Sequence, residues 1–382
     1  NMSTFDTSNL ENTSGGAPDF SQGLNVGGTN ILTLVTPTEY HTGASEPSSP
    51  ANGAVWYDGT DVLQYVNGGW YTLSVTAPLL YLGNTAVLVS AGNPNDASWP
   101  GDNYQTFNIA TLGNASSFGS NSSTSERTQA GSASNKSIAV FFGGSITTRT
   151  APNSYSTAGT NEINYFTFAT LGAAVDFGDV LATAGDAPGM SDGTYGVFGP
   201  MDGFATYQIQ YITFATPGNA VDFGNPSSSR RRAGACSNGS RGVMAGGNFF
   251  SYTNVIDYIT IATPGNSTDF GDTLSVVSYL SGCSDATRGL FGGGNVSTGG
   301  TGLNTIQYVT IATPSNSTDF GDLTVGSYYN AAAANDTRAT FMGGTGGTNV
   351  INYVTIATTG NATDFGDLVT TTNYKGSACS GG

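Results

Sequence analysis

The side chains of this chain that could do chemistry are few, and most recur at a fixed spacing. Carboxylates stand in pairs: Asp176 with Asp179, Asp269 with Asp272, Asp319 with Asp322, and Asp364 with Asp367. Glycoside hydrolysis needs two carboxylates across one sugar cleft, and a calcium site needs six or more converging oxygens. A catalytic pair should be unique, whereas these recur with the phrase around them, so a structural role is expected. The only histidine, His41, lies in a proline-bounded stretch with Glu39 and Glu46 nearby. A Ser-His-Asp or Cys-His centre would have to use it, and it reads as a linker residue. Cys236, Cys283 and Cys379 fall 13 or 14 residues after a recurring phenylalanine, where other copies carry Ala133, Met190 and Ala333. Alanine and methionine as alternatives mark a buried apolar slot, so free core thiols are expected. With no close cysteine pair and no second histidine there is no zinc pattern, and no cofactor is implied. Arg241, Arg288 and Arg338 each follow Asn238, Asp285 or Asn335 by three residues. They are expected to satisfy the Asp-Phe-Gly carboxylates or nearby carbonyls within the blades. The one basic cluster, Arg230-Arg231-Arg232, reads as a solvated loop.

The elements that position these groups are copies of one phrase. Residues 349–368 read Asn-Val-Ile-Asn-Tyr-Val-Thr-Ile-Ala-Thr-Thr-Gly-Asn-Ala-Thr-Asp-Phe-Gly-Asp-Leu. The phrase recurs around Phe118, Phe177, Phe223, Phe270, Phe320 and Phe365, at steps of 59, 46, 47, 50 and 45 residues. Asp176, Asp222, Asp269, Asp319 and Asp364 precede the last five phenylalanines; the first copy has lost its aspartate and its tyrosine. This period is that of four-stranded propeller blades. The β-branched run Tyr353-Val354-Thr355-Ile356-Ala357-Thr358 suits a strand covered on both faces. Pro-Gly-Asn or Thr-Gly-Asn then turns the chain, and Asp-Phe-Gly begins another strand anchored by its phenylalanine. Residues 234–247 read as a second hairpin through Asn238-Gly239, with cousins at 282–294 and 331–344. Two hairpins give four strands per unit. The last unit stops half-way through its second hairpin, and residues 84–92 have the character of the missing partner, so one unit is expected to be completed from both ends.

The doublets Gly143-Gly144, Gly246-Gly247, Gly293-Gly294 and Gly343-Gly344 resemble those of kelch-type propellers over about residues 77–382. No tryptophan follows any doublet, which departs from the kelch pattern. The Ala-Thr-Pro-Gly-Asn and Asp-Phe-Gly-Asp phrases look more like repeats of bacteriophage virion proteins. The resemblance implies an all-β fold: a six-bladed kelch-like β-propeller over 77–382, preceded by a small β-meander and an extended N-terminal arm.

Composition agrees with an all-β chain. Among 382 residues there are 55 glycines, only 9% charged residues and 11% aromatics, which argues strongly against a helical protein and against disorder. A formal charge of −16 repels phosphate, so nucleic acid is not the expected partner. No apolar run reaches the length of a membrane span, and the N-terminal residues show no basic-then-apolar leader. Residues 1–35 have too few apolar side chains for a core and read as an attachment arm. Residues 36–52, with Pro37, Pro47 and Pro50, read as a linker. Residues 53–76 form an aromatic meander carrying Trp56, Tyr57, Tyr65, Trp70 and Tyr71, and residues 50–74 resemble a hairpin of bacteriophage tail-fibre and appendage proteins. That resemblance implies a non-enzymatic protein on the virion surface. Residues 1–74 would meet other virion proteins, with trimeric self-association favoured, and the propeller would face a host-surface glycan or protein. The alternative is a secreted glycan-active propeller, a hydrolase or oxidase. Binding residues are expected in the unrepeated stretches 145–161 and 200–207.

Overall fold

The computed structural model describes residues 24–26, 29–32, 40–42, 48, 50, 54–57, 62–66, 69–72, 83–90, 103–119, 125–151, 154–183, 185–200, 207–345, 348–372 and 376–381. The chain divides into two compact units, Asn1–Pro78 and Leu79–Gly382. Every regular element among the described residues is a strand.

In the first unit Leu24–Val26 pairs with Thr29–Leu32. A four-stranded sheet follows, in the order Tyr40–Thr42, Val55–Tyr57, Val62–Val66 and Gly69–Thr72. The last three strands are antiparallel, and Tyr65 lies opposite Trp70. Residues 40–42 correct the linker reading: Tyr40, His41 and Thr42 pair in parallel with Val55, Trp56 and Tyr57. Tyr-His-Thr has strand character, and the prolines lie outside it.

The second unit is built from four-stranded antiparallel sheets, the signature of the β-propeller-like class. Sheet I combines Ser377–Gly381 with Thr85–Ser90, Asn103–Asn108 and Ser116–Gly119. Sheet II runs Gly131–Ser134, Ile138–Phe142, Glu162–Thr167, Val175–Asp179. Sheet III runs Gly189–Ser191, Tyr195–Phe198, Ile209–Thr213, Val221–Gly224. Sheet IV runs Gly234–Ser237, Arg241–Ala245, Val255–Thr260, Thr268–Asp272. Sheet V runs Ser281–Ser284, Arg288–Gly292, Thr305–Thr310, Thr318–Asp322. Sheet VI runs Ala331–Ala334, Arg338–Met342, Thr348–Thr355, Thr363–Thr372.

Sheet I is assembled from both ends of the unit, with Cys379 opposite Val87 and Gly381 opposite Thr85. The six first strands touch one another in a closed cycle. Ser132 and Ser134 of sheet II donate to the carbonyls of Ala378 and Ser380 in sheet I, at 2.8 and 2.7 Å. Ser380 in turn donates to Ala334 of sheet VI. Each pair of neighbouring sheets encloses its own apolar core, six in all among the described residues.

The repeated phrase explains how neighbouring sheets join. Phe177, Phe223, Phe270, Phe320 and Phe365 are buried between sheets. Each meets a third-strand tyrosine edge-on, as Tyr258 meets Phe270 with centroids 6.0 Å apart. In the first copy the ring at hand is Tyr104, which stacks on half-buried Phe118 instead. The glycine after each buried phenylalanine has φ between 146° and 151°. In sheet V, a Cβ on Gly321 would lie 2.3 Å from the carbonyl of Gly360 in the next sheet, so only glycine fits there. The turn asparagine of the next sheet then accepts from the backbone one residue further on. Asn219 accepts from Asp179, Asn266 from Asn225, Asn316 from Asp272, Asn361 from Asp322 and Asn114 from Asp367, all at 3.0 to 3.1 Å. Phe-Gly-Asp and Pro-Gly-Asn are thus two halves of one joint. At the remaining joint, between sheets I and II, Ala173 occupies the asparagine position.

The third strands are shorter than the sequence reading. They end at Thr260, Thr310 and Thr355, and the following Ile-Ala-Thr forms a turn whose isoleucine stays buried. At their outer ends a half-buried tyrosine, a buried isoleucine or valine and an exposed threonine follow one another, so the last position faces solvent. Within the stretch 145–161, Ser145–Ala151 and Ser154–Gly159 join Ser125–Thr128 in a three-stranded sheet.

Candidate binding site at the mouth of the axis

At the entry to the first strands of sheets II to VI the chain adopts a left-handed conformation on a residue that is not glycine. Gln129, Asp186, Arg232, Tyr279 and Tyr329 have φ of 56°, 57°, 63°, 61° and 63°. Each stands four residues before the cysteine or its counterpart, Ala133, Met190, Cys236, Cys283 or Ala333. By the same spacing the sixth position is Lys375, which lies outside the described residues. Their backbones link head to tail around the axis. Asp186 N–H donates to Gln129, Arg232 to Asp186, Tyr279 to Arg232 and Tyr329 to Tyr279, at 2.8, 3.2, 2.8 and 3.3 Å.

The glycine doublets carry this ring. The second glycine of each doublet packs under the carbonyl of the residue just before the left-handed one. A Cβ on Gly247 would lie 2.7 Å from the Arg231 oxygen, and one on Gly294 would lie 2.8 Å from the Ser278 oxygen. Residues such as tyrosine and arginine cost about 1–2 kcal/mol each in this conformation. The backbone therefore repeats faithfully while the side chains do not, at a standing cost that points to use rather than packing.

The ring side chains form one network. Arg232 Nε donates to Asp186 Oδ2 at 3.0 Å, and its guanidinium lies 4.5 Å from the Tyr279 ring centroid. Burial works against the Arg232 charge, but Asp186 and the two tyrosines outweigh it and raise its pKa. Gln129 Nε2 reaches the same Asp186 oxygen at 3.4 Å. Tyr279 and Tyr329 pack edge to face at 4.4 Å, and half-buried Tyr328 lies beside them. Burial pushes both phenols above the usual tyrosine value. Asp186 is only 4% exposed, and its Oδ1 has no partner among the described residues.

Directly beneath the ring lies a cavity of about 70 Å³, lined by Ala187, Leu280, Ser281 and Asn330 among others; a second of about 90 Å³ continues between the first strands. Ser281 Oγ and Asn330 Oδ1, both buried, have no partner among the described residues. Such a space suits a few waters, not a small-molecule substrate. The loops between second and third strands share this end of the unit, because Asn248 exchanges backbone hydrogen bonds with Arg231, and Asn295 with Ser278. They add Phe249, 4.7 Å from Tyr207, and Phe250, which is 93% exposed.

The residues expected to matter lie elsewhere. Asp176, Asp222, Asp269, Asp319 and Asp364 are exposed on the fourth strands, and none forms an ion pair among the described residues. Arg241, Arg288 and Arg338 reach carbonyls and not the Asp-Phe-Gly carboxylates. Each lies over the tyrosine of its own sheet, but its Nη1 donates to carbonyls of the next sheet: Ile311 and Ala312, Ile356, and Ile109 and Ala110. The turn residues Asn238, Asp285 and Asn335 accept from the arginine backbone N–H instead.

The basic cluster is not a solvated loop. Arg230 is 1% exposed and pairs with fully buried Asp257 at 2.9 Å; burial lowers its pKa against the pull of that carboxylate. Ser227 and Ser267 complete the Asp257 shell. In sheets III and V the position of Asp257 holds Gln210 and Gln307, whose side chains accept from the backbone of Leu181 and Leu274. Arg232 belongs to the mouth. The cysteines are buried free thiols, and burial raises their pKa, that of Cys379 to about 12. Of the aromatic meander, Tyr65 is half-buried, while the side chains of Trp56, Tyr57, Trp70 and Tyr71 lie outside the described residues. So do residues 201–206 of the second unrepeated stretch. Among the described residues no three His, Cys, Asp or Glu side chains gather as a metal site, and no helix is long and apolar enough to cross a membrane.

The mouth was missed because the sequence was read for residues that repeat. Counting four back from the cysteine slot yields Gln, Asp, Arg, Tyr, Tyr and Lys, a column with constant spacing and changing chemistry. No family model matches this chain, and no curated protein is significantly similar to it.

Proposed function

We propose that the chain is a non-enzymatic binding protein of a bacteriophage virion. Its second unit is read as a six-bladed kelch-like β-propeller displayed on the particle surface to engage a host-surface glycan or protein. Residues 1–74, an arm and an aromatic module, attach it to other virion proteins, with a trimer favoured. The observation that carries the binding reading is the unrepeated side-chain set at one end of an otherwise repeated ring. Asp186 is the only carboxylate of that set and is already paired with Arg232, whereas glycoside hydrolysis needs two. The virion assignment rests on the tail-fibre-like residues 50–74 and on the repeated Asp-Phe-Gly-Asp phrase. The test is quantitative mass spectrometry of purified particles from the culture that produces the protein. A fixed copy number per particle is expected. Absence from particles, together with polysaccharide turnover by the secreted chain, would establish the glycan-active alternative.

A further inference from the structure

We propose that the loop 248–252 of sheet IV is a saccharide-stacking site, taking an uncharged sugar whose C–H face packs on the Phe250 ring. This deepens the binding reading above and rests on it. Phe250 is 93% exposed, so a ligand in solution reaches it directly. Phe249 braces it, with ring centroids 4.0 Å apart and a tilt of 51°, and is itself backed edge-on by Tyr207 at 4.7 Å. Phe249 also stays 37% exposed, so the two rings form an open corner.

The loop is fixed at its base. Asn248 exchanges backbone hydrogen bonds with Arg231 and bridges to Tyr252, and Thr253 N–H donates to the Gly247 carbonyl at 3.0 Å. Ser278 Oγ donates to Asn248 Oδ1 at 2.9 Å. The rings are thus held out in water before a ligand arrives, which lowers the ordering cost of binding. Sheet V repeats this base: Gly293-Gly294-Asn295 matches Gly246-Gly247-Asn248, and Asn295 exchanges the same backbone bonds with Ser278. There Val296-Ser297 follows in place of Phe249-Phe250, so the base does not require the aromatic pair.

Charge and area select the occupant. Residues 242–256 contain no charged side chain, and Asn248, Ser251, Tyr252, Thr253 and Asn254 flank the rings with neutral amides and hydroxyls. A sugar matches this mixture, because its C–H face is apolar and its rim is hydroxyl. A stable protein pair needs about 800 Å² from each partner, more than two phenylalanine side chains offer. An anionic lipid surface calls for basic residues beside the rings, and the whole chain carries −16. The same charge disfavours an acidic sugar.

The experiment is saturation-transfer NMR on the full chain with methyl glycosides of glucose, galactose and mannose and with N-acetylglucosamine. Phosphatidylcholine vesicles and sedimentation velocity probe the other occupants. Saturable binding of at least one neutral sugar is expected, with its C–H protons saturated most. Phe250→Ala changes an exposed side chain, should keep the unfolding midpoint, and should weaken binding by about tenfold or more. Phe250→Trp widens the stacking face and should bind at least as tightly as the parent. Leu112→Ala, exposed in the turn between the third and fourth strands of sheet I at the opposite end, should leave affinity unchanged. The proposal is overturned if no neutral sugar binds, if Phe250→Ala binds as the parent does, or if Phe250→Trp loses binding as fully as Phe250→Ala. Vesicle binding or self-association through Phe250 without sugar binding would overturn it too. Particles that carry the chain while no sugar binds would remove this site and leave the display reading standing. Sugar binding at Phe250 by a chain absent from particles would do the reverse.

Discussion

The rim and the mouth of the second unit are made from the same repeats and obey opposite rules. At five of the six joints of the rim, identity is kept: phenylalanine, glycine and asparagine recur because these joints need the same buried ring, the same open backbone and the same acceptor. At the mouth, backbone geometry is kept and identity is abandoned. Gln129, Asp186, Arg232, Tyr279 and Tyr329 share one left-handed φ and one chain of hydrogen bonds, yet no repeat rule chooses their side chains. The difference teaches that repetition marks what holds the ring together, and its breakdown at constant spacing marks what the ring presents.

The most severe way to break the comparison is to open the ring. Deleting residues 377–381 removes the first strand of sheet I and exposes the edge of Thr85–Ser90, together with the cores that sheet I shares with sheets II and VI. Cooperative unfolding should be lost, or its midpoint should fall by more than about 10 °C. A midpoint equal to that of the intact chain would mean that closure contributes nothing.

A smaller effect separates a private solution from the shared one. Asp257→Ala leaves Arg230 buried without its partner and should cost about 3–5 kcal/mol in urea unfolding. The double change Arg230→Val with Asp257→Gln copies the Val277 and Gln307 of sheet V and should recover all but about 1 kcal/mol. If the double variant is no better than the single one, the sheets are not interchangeable at this position.

How much was legible follows the same division. The strand phrases, the four strands per unit and the completion of sheet I by residues near both ends could be read, because hydrophobic period and turn chemistry act locally. For the arginines the carbonyls were expected but not the sheet that supplies them, because Arg241 reaches carbonyls 70 and 71 residues away and Arg338 reaches ones 228 and 229 away, and no local pattern encodes which sheet is next. Arg230 was misread because three adjacent arginines look solvated, whereas Asp257 is brought to Arg230 only by the fold. The segment Tyr40–Thr42 was taken for linker because its strand partner is parallel and more than a dozen residues away. The mouth escaped because its signal is a column, visible only after the repeats are aligned on their cysteine slot.

The thiols give a subtler test of the buried slot. In the folded state the Cys379 pKa is raised from 9.0 to about 12, so above pH 9 the unfolded chain releases its proton first. The unfolded state then binds fewer protons, and stability falls as pH rises from 9 toward 12. Cys379→Ala, the residue already present at positions 133 and 333, should remove about 1 kcal/mol of that decline at pH 10. An unchanged alkaline slope would place the thiol in contact with water.

The division between rim and mouth is tested most directly by thermal unfolding of Gln129→Gly beside Gly321→Ala. Gln129 holds a left-handed φ of 56°, which glycine adopts freely; Gly321 has φ 148°, and a Cβ there would press against the Gly360 carbonyl. Gln129→Gly should leave the midpoint unchanged or raise it, whereas Gly321→Ala should cost about 2 kcal/mol or more. A loss in Gln129→Gly as large as that in Gly321→Ala would contradict the claim that the mouth side chains are kept for something other than the fold.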